Sequence, residues 1–228
     1  SFVAGIVNIT GVLAVKTLTT NVTGHFAFFA EEVIKHNYTA AITFFVFTLF
    51  FLMGAFTSNF MAEWVSMKHP HLLHVIPISM EIAILTLVGF FGIQADLSTL
   101  EGKTIAFAML FAMGIQNSLV TKISQATVRT THLTGLFTDL GIELSQWFFY
   151  KKQNEKKRLN ASISLRLSII TFFFIGCISG GYIYTFLQIK TLFVGTFVLL
   201  IALMYDSIRL RFLAVTRKKL TQNTNLKR

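Results

Sequence analysis

The sequence predicts an all-α membrane protein made of two internal repeats, each with about three transmembrane helices plus an extended segment and a half-helix. Three observations predict it. Charged residues make up 13% of the 228 and hydrophobic residues 54%, whereas a soluble domain carries roughly 25% charge. Apolar stretches close to a bilayer crossing in length recur along the chain. Several short blocks of the first half return in the same order in the second. The 25 Phe and 2 Pro also exclude a disordered chain, which is poor in aromatics and rich in charge and Pro.

In chain order, the first apolar stretch is Phe2 to Ala14. The sequence begins at Ser1 without Met and shows no cleavable signal pattern, so a trimmed first span is expected. Val15 to Thr23 is rich in Thr and β-branched residues, a composition that disfavours helix and suits extended backbone. Gly24 to Ile34 is apolar but too short to cross roughly 30 Å at 1.5 Å per residue, so it reads as a half-helix. Thr39 to Met61 and Leu72 to Ala95 are full spans and complete the first repeat, residues 1–102. The second repeat, 103–228, runs through the span Thr104 to Val120, the Thr-rich segment Val120 to Thr134 and the half-helix Gly135 to Tyr150. The spans Ile163 to Leu187 and Thr191 to Ile208 and a basic tail complete it.

The repeat rests on matched blocks. Gly5-Ile6-Val7-Asn8 returns as Gly114-Ile115-Gln116-Asn117. Thr19-Thr20-Asn21-Val22-Thr23-Gly24-His25-Phe26 returns as Thr130-Thr131-His132-Leu133-Thr134-Gly135-Leu136-Phe137. The same register pairs Glu32 with Glu143, and Phe51-Leu52-Met53-Gly54-Ala55 matches Phe173-Phe174-Ile175-Gly176-Cys177.

The net charge of +10 would suggest nucleic acid in a soluble chain. Here most of the surplus lies in Lys151 to Arg166 and Arg209 to Arg228. These clusters flank apolar spans and mark the cytoplasmic side, which puts the C-terminus there. Nucleic acid is not expected as a partner; the lipid bilayer is, and a homo-oligomer is compatible with the chain. Cys177 is the single cysteine, so no intramolecular disulfide forms.

Each Thr-Gly opens a half-helix, with Thr23 or Thr134 as a side-chain cap and Gly24 or Gly135 letting the backbone turn. First-turn N–H groups with the positive end of the helix dipole then face whatever lies beyond, as in transporters that hold anions at mid-membrane. The plainer alternative is a capped helix end meeting water. Arg129, beside Thr130 and Thr131, is the best candidate for direct anion contact; Lys16 and Lys122 contribute charge or snorkel to an interface. His25 and His132 flank the two motifs and bind substrate or simply hydrogen-bond. Among the acids, Glu32 and Glu143 hold equivalent positions, and Asp139 shares a helix face with Glu143. Glu81, mid-span, is a proton carrier or a salt-bridge partner of Lys16, Lys122 or Arg129.

Gly176-x-x-x-Gly180, echoed by Gly54-x-x-x-Ser58, indicates close helix packing. His69, His71 and His74 lack a ligand pattern, so no metal is expected, and no cofactor loop or nucleophile constellation appears, so an enzyme is not expected. These features support a small secondary transporter or channel for an anionic or polar solute. The alternative is a non-transporting membrane sensor or assembly partner with a dry centre.

At Phe2-Val3-Ala4-Gly5 with Asn8, Thr23-Gly24, Gly54-Ala55, Gly114 with Gln116-Asn117, and Arg129-Thr130-Thr131-x-x-Thr134-Gly135 followed by Thr138-Asp139, the chain resembles the YoaK family of small bacterial membrane proteins, whose function is unknown. The resemblance implies a multi-pass protein of the bacterial inner membrane. In the first motif that family reads Thr-Gly-Asn, where this chain has Thr23-Gly24-His25. The duplicated strand and half-helix unit is also similar to the centre of the sulfate and uracil permease architecture, which implies a site between two half-helix ends.

Overall fold

Apolar, proline-poor segments in a solvent without hydrogen-bonding partners close their backbone bonds internally. The computed structural model describes residues 1–67, 72–92, 97–123, 133–150 and 152–205. Among these there is no strand. The order is α1 (Phe2–Val15), α2 (Val22–Ile34), α3 (Tyr38–Ser66), α4 (Val75–Phe91), α5 (Leu100–Ile123), α6 (Leu133–Phe149) and α7 (Gln153–Leu187). A 3-10 turn, Gln188–Thr191, then leads into α8 (192–205).

The Thr-rich segments depart from expectation. Residues 16–21 form a short irregular loop instead of a strand. Lys16 ends α1 in the left-handed conformation (φ 55°), and its amide and that of Thr17 bond Gly11 O, so the αL cap turns the chain back on itself. In the second repeat α5 stays helical to Ile123, and the Thr121 hydroxyl donates to Asn117 O at 2.7 Å. That local bond lets a β-branched residue remain in the helix. The rest of that segment lies outside the described residues. Both half-helices start before their Thr-Gly, and Asn21, whose side chain accepts from Gly24 N at 3.0 Å, caps α2 in place of Thr23.

Among the described residues three stretches are long and apolar enough to cross a membrane: Tyr38–Ser66, Leu100–Ile123 and Gln153–Tyr205. The last is 53 residues, about 80 Å if straight at 1.5 Å per residue, and it folds into a hairpin at Gln188, where φ is 50°. Gly180 on α7 and Gly195 on α8 consequently both meet Ile6 of α1. The apolar α1 and α4, at 14 and 17 residues, fall short of the roughly 20 residues of a full perpendicular crossing.

Two glycine crossings hold the bundle. An added methyl at Gly5 would collide with Phe173 O and come 2.9 Å from Cys177 N, and one at Gly176 would collide with Phe2 O. An added methyl at Gly114 would collide with Phe51 O and come 3.0 Å from Ala55 N, and one at Gly54 would collide with Phe111 O. Small residues let backbones approach this closely, as their spacing predicts. Contacts rise together in residue number across each crossing, so α1 runs parallel to α7 and α3 to α5.

α5 is the central helix: 56% of its most apolar window is buried, against 22% for α3. The face of α3 turned outward carries Phe45, Leu49, Leu52, Phe56 and Phe60, all exposed. A continuous apolar stripe of that length is unsuited to water and suited to acyl chains. α4 packs on α5 and, through Gly89 and Phe90, on Phe193 of α8. α2 lies on α3 through Phe28 with Phe44 and Phe29 with Phe45, and α6 lies on α7 through Leu136, Leu140, Ile169 and Ile170.

Candidate functional site

The first turns of α2 and α6 open onto one cavity of about 1060 Å³. α2 contributes Val22, Thr23, Gly24 and Ala27, with Asn21 before it; α6 contributes Leu133 and Thr134. α1 supplies Asn8 and α5 supplies Asn117, Ser118, Thr121 and Lys122. Phe51, Ala55 and Asn59 of α3, Phe173 of α7, and Leu18 and Thr20 of the loop complete the wall.

Asn8 is what brings α2 to this depth. Its Oδ1 accepts from the Thr20 hydroxyl at 3.0 Å and from Thr19 N at 3.2 Å. The loop therefore runs back along α1 to its middle before α2 begins. Gly11 admits this return, because a side chain there would meet Thr17 O at 2.9 Å. First-turn amides have no intrahelical acceptor, and the Asn21 side chain takes that of Gly24.

Of the substrate contacts expected from sequence, Thr23, Gly24 and Thr134 reach the cavity wall. Gly135 sits one residue further along α6, behind it. Arg129, Thr130 and Thr131, like His132, His69, His71 and the tail Arg209 to Arg228, lie outside the described residues. His25 turns the other way: it is 1% exposed, its ring nitrogen Nε2 donates to Leu18 O at 2.8 Å, and its ring meets Phe47 edge-on at 5.2 Å. It is a core side chain that ties the loop to α2, because the helical turn puts residue 25 opposite the face carrying Thr23.

The expected charge partners are dispersed. Lys16 is exposed at the end of α1, away from the wall. Glu32 lies at the far end of α2, where it accepts from Asn37 at 2.7 Å and from Lys35 at 3.2 Å; the hydrogen bonds that Lys35 donates to Glu31 and then to Glu32 hold its ammonium above its usual pKa. Asp139 and Glu143 share a face, as their spacing requires, and both grip Arg166 at 2.9 Å. Glu143 also accepts from Ser162 at 2.6 Å. Glu81 is 1% exposed and accepts from Gln116 Nε2 at 2.8 Å. The Lys122 partner considered for it belongs instead to Glu63, at 2.8 Å.

Sequence reasoning missed Asn59, Ser118 and Thr121, whose only signal is their helical register, and it treated Asn8 and Asn117 as repeat markers without assigning them to the site. No group of three or more His, Cys, Asp or Glu with metal-ligand geometry occurs among the described residues. The described lining residues offer a solute amides, hydroxyls, first-turn backbone of two helices and one ammonium.

A family model described as "Protein of unknown function (DUF1275)" matches residues 1–205, a match compatible with the YoaK resemblance. No curated protein and no solved structure matches the chain.

Proposed function

The chain belongs to the DUF1275 family of proteins of unknown function, and we propose that it is a small secondary transporter or channel that binds an anionic or polar solute at mid-depth between the first turns of α2 and α6. The observation that carries this reading is that both turns and the side chains of Asn8 and Asn117 line one cavity. Amides, hydroxyls and an ammonium gathered at a cavity between membrane helices are expensive to keep and are characteristic of solute pathways. A sensor or assembly partner calls for a packed centre, and the cavity speaks against it.

The two halves act as inverted repeats in this reading. The Gly5–Gly176 and Gly54–Gly114 crossings are built from matched positions of the two halves and meet the same kinds of backbone atom. Asn8 and Asn117 share the cavity while Gly11 meets Met109 at 3.5 Å, so α1 and α5 run in opposite directions. Alternating access follows from rocking the α1–α7 pair against the α3–α5 pair about the cavity. Thr23 and Thr134 bring first-turn backbone to the solute, with the Gly24 amide held by Asn21 and Gly135 off the wall; Lys122 replaces Lys16 as a source of charge, and Arg129, Thr130 and Thr131 are the further contacts proposed. The setting is the bacterial inner membrane with the C-terminus cytoplasmic.

Uptake of labelled anions and polyols into proteoliposomes tests the proposal. Flux that falls in Arg129→Ala and Asn8→Leu supports it; no flux under any gradient, with both variants binding solute like the parent chain, would sink it.

A further inference from the structure

Lys122 and Glu63 meet at the cavity wall because α3 and α5 run parallel, so their C-terminal ends arrive together. Lys122 Nζ lies 2.8 Å from Glu63 Oε1 but off the axis of a hydrogen bond. The two partners are unequally placed: the Lys122 side chain is 25% exposed and lines the cavity, whereas the Glu63 side chain is 64% exposed and is not part of the wall. Among the described lining residues Lys122 is the one cation, there is no carboxylate, and the remaining polar groups are amides and hydroxyls.

We infer that the solute is a small hydroxylated carboxylate whose carboxylate replaces that of Glu63 on the Lys122 ammonium, while its hydroxyls pair with groups such as Asn59 and Ser118. This rests on the proposed solute-binding role of the cavity and names the solute class. Lys122 is the one ammonium among the described lining residues, and a carboxylate is the group that can take the place of Glu63 on it. Glu63 loses little by leaving, since a displaced exposed carboxylate regains water and pairs of this exposure favour the closed form by only about 1.5- to 5-fold. The Lys122 ammonium, by contrast, needs an anion beside it, because an ammonium shielded from water without a partner is costly. Glu63 thus holds the site until a soluble carboxylate arrives. A neutral polyol offers nothing to exchange with Glu63, and an anion without hydroxyls, such as sulfate, offers no donor to the amide and hydroxyl oxygens of the wall.

The full chain purified in detergent, titrated calorimetrically with gluconate, with its neutral analogue sorbitol and with sulfate, decides the matter. Gluconate binding above that of sorbitol and sulfate is expected, tightened about 1.5- to 5-fold in Glu63→Gln as the tethered competitor disappears. It weakens about 10-fold or more in Lys122→Met as a charge-assisted contact is lost. The exchanged pair Glu63→Lys with Lys122→Glu keeps the ion pair and the thermal midpoint but loses gluconate binding, which separates folding from recognition. Gluconate affinity indifferent to Glu63→Gln or Lys122→Met overturns the exchange. Sorbitol or sulfate binding as tight as gluconate overturns the solute class and leaves the cavity's transport role standing. Failure of every probe to bind or cross overturns both.

Discussion

The Thr20 hydroxyl donates to Asn8 Oδ1 at 3.0 Å, and this bond, with that from Thr19 N to the same oxygen, holds a loop against the middle of a helix that precedes it. A single side-chain amide therefore decides how deep α2 begins. Asn8→Leu leaves both donors unanswered and is expected to destabilise the fold by about 1–3 kcal/mol. Hydrogen exchange should rise in residues 16–24 and stay unchanged in α5; equal protection of the loop in both proteins would refute this.

The glycine crossings make a contrasting pair of expectations. Gly114→Ala and Gly5→Ala push a methyl into facing backbone and should each cost about 1–3 kcal/mol through overpacking. Gly141→Ala meets nothing within 4 Å and should gain about 0.5–1 kcal/mol from helix propensity. Thermal midpoints in one detergent, compared across the three variants, check the order.

Glu81 and Gln116 form a buried pair between α4 and α5. Gln116→Leu strands a carboxylate and Glu81→Leu strands an amide, so each alone should cost about 1–3 kcal/mol. The double variant should recover most of the loss, because replacing both partners by apolar groups of similar shape is close to neutral. A double variant as unstable as the sum of the singles would contradict the pairing.

Arg166 bridges α7 to both Asp139 and Glu143 of α6. α6 has only Leu136 and Leu140 buried, so this clamp carries much of its docking. Arg166→Met should raise protease cleavage and hydrogen exchange within α6 severalfold, with α1 and α5 unaffected. Protection in α6 equal to the parent's would show that the apolar contacts suffice.

Much of the architecture was legible in the chain. The six long apolar stretches correspond to α1, α3, α4, α5, α7 and α8, and Gly24 to Ile34 and Gly135 to Tyr150 to the short α2 and α6. Hydropathy sets these because a lipid-facing backbone has to be helical. The extended segments expected from Thr content give no strand among the described residues: 16–21 is an irregular loop, α5 stays helical to Ile123, and the rest of the second segment lies outside them. Propensity describes a residue's own backbone preference, and here the Asn8 oxygen, the Gly11 carbonyl and the Asn117 carbonyl overrode it with specific hydrogen bonds.

By itself, the sequence determined that the protein is helical and lipid-facing, where its helices break, and that Thr23, Gly24 and Thr134 stand at those breaks. Tertiary structure alone decided that the breaks share one cavity, that His25 points into the core, and that Lys122 takes Glu63 while Glu81 takes Gln116. The reason is physical. Hydropathy and caps act within a few residues along the chain. Which side chains meet depends on helix rotation and on parallel or opposed direction, and close approach at Gly5, Gly54, Gly114 and Gly176 sets both.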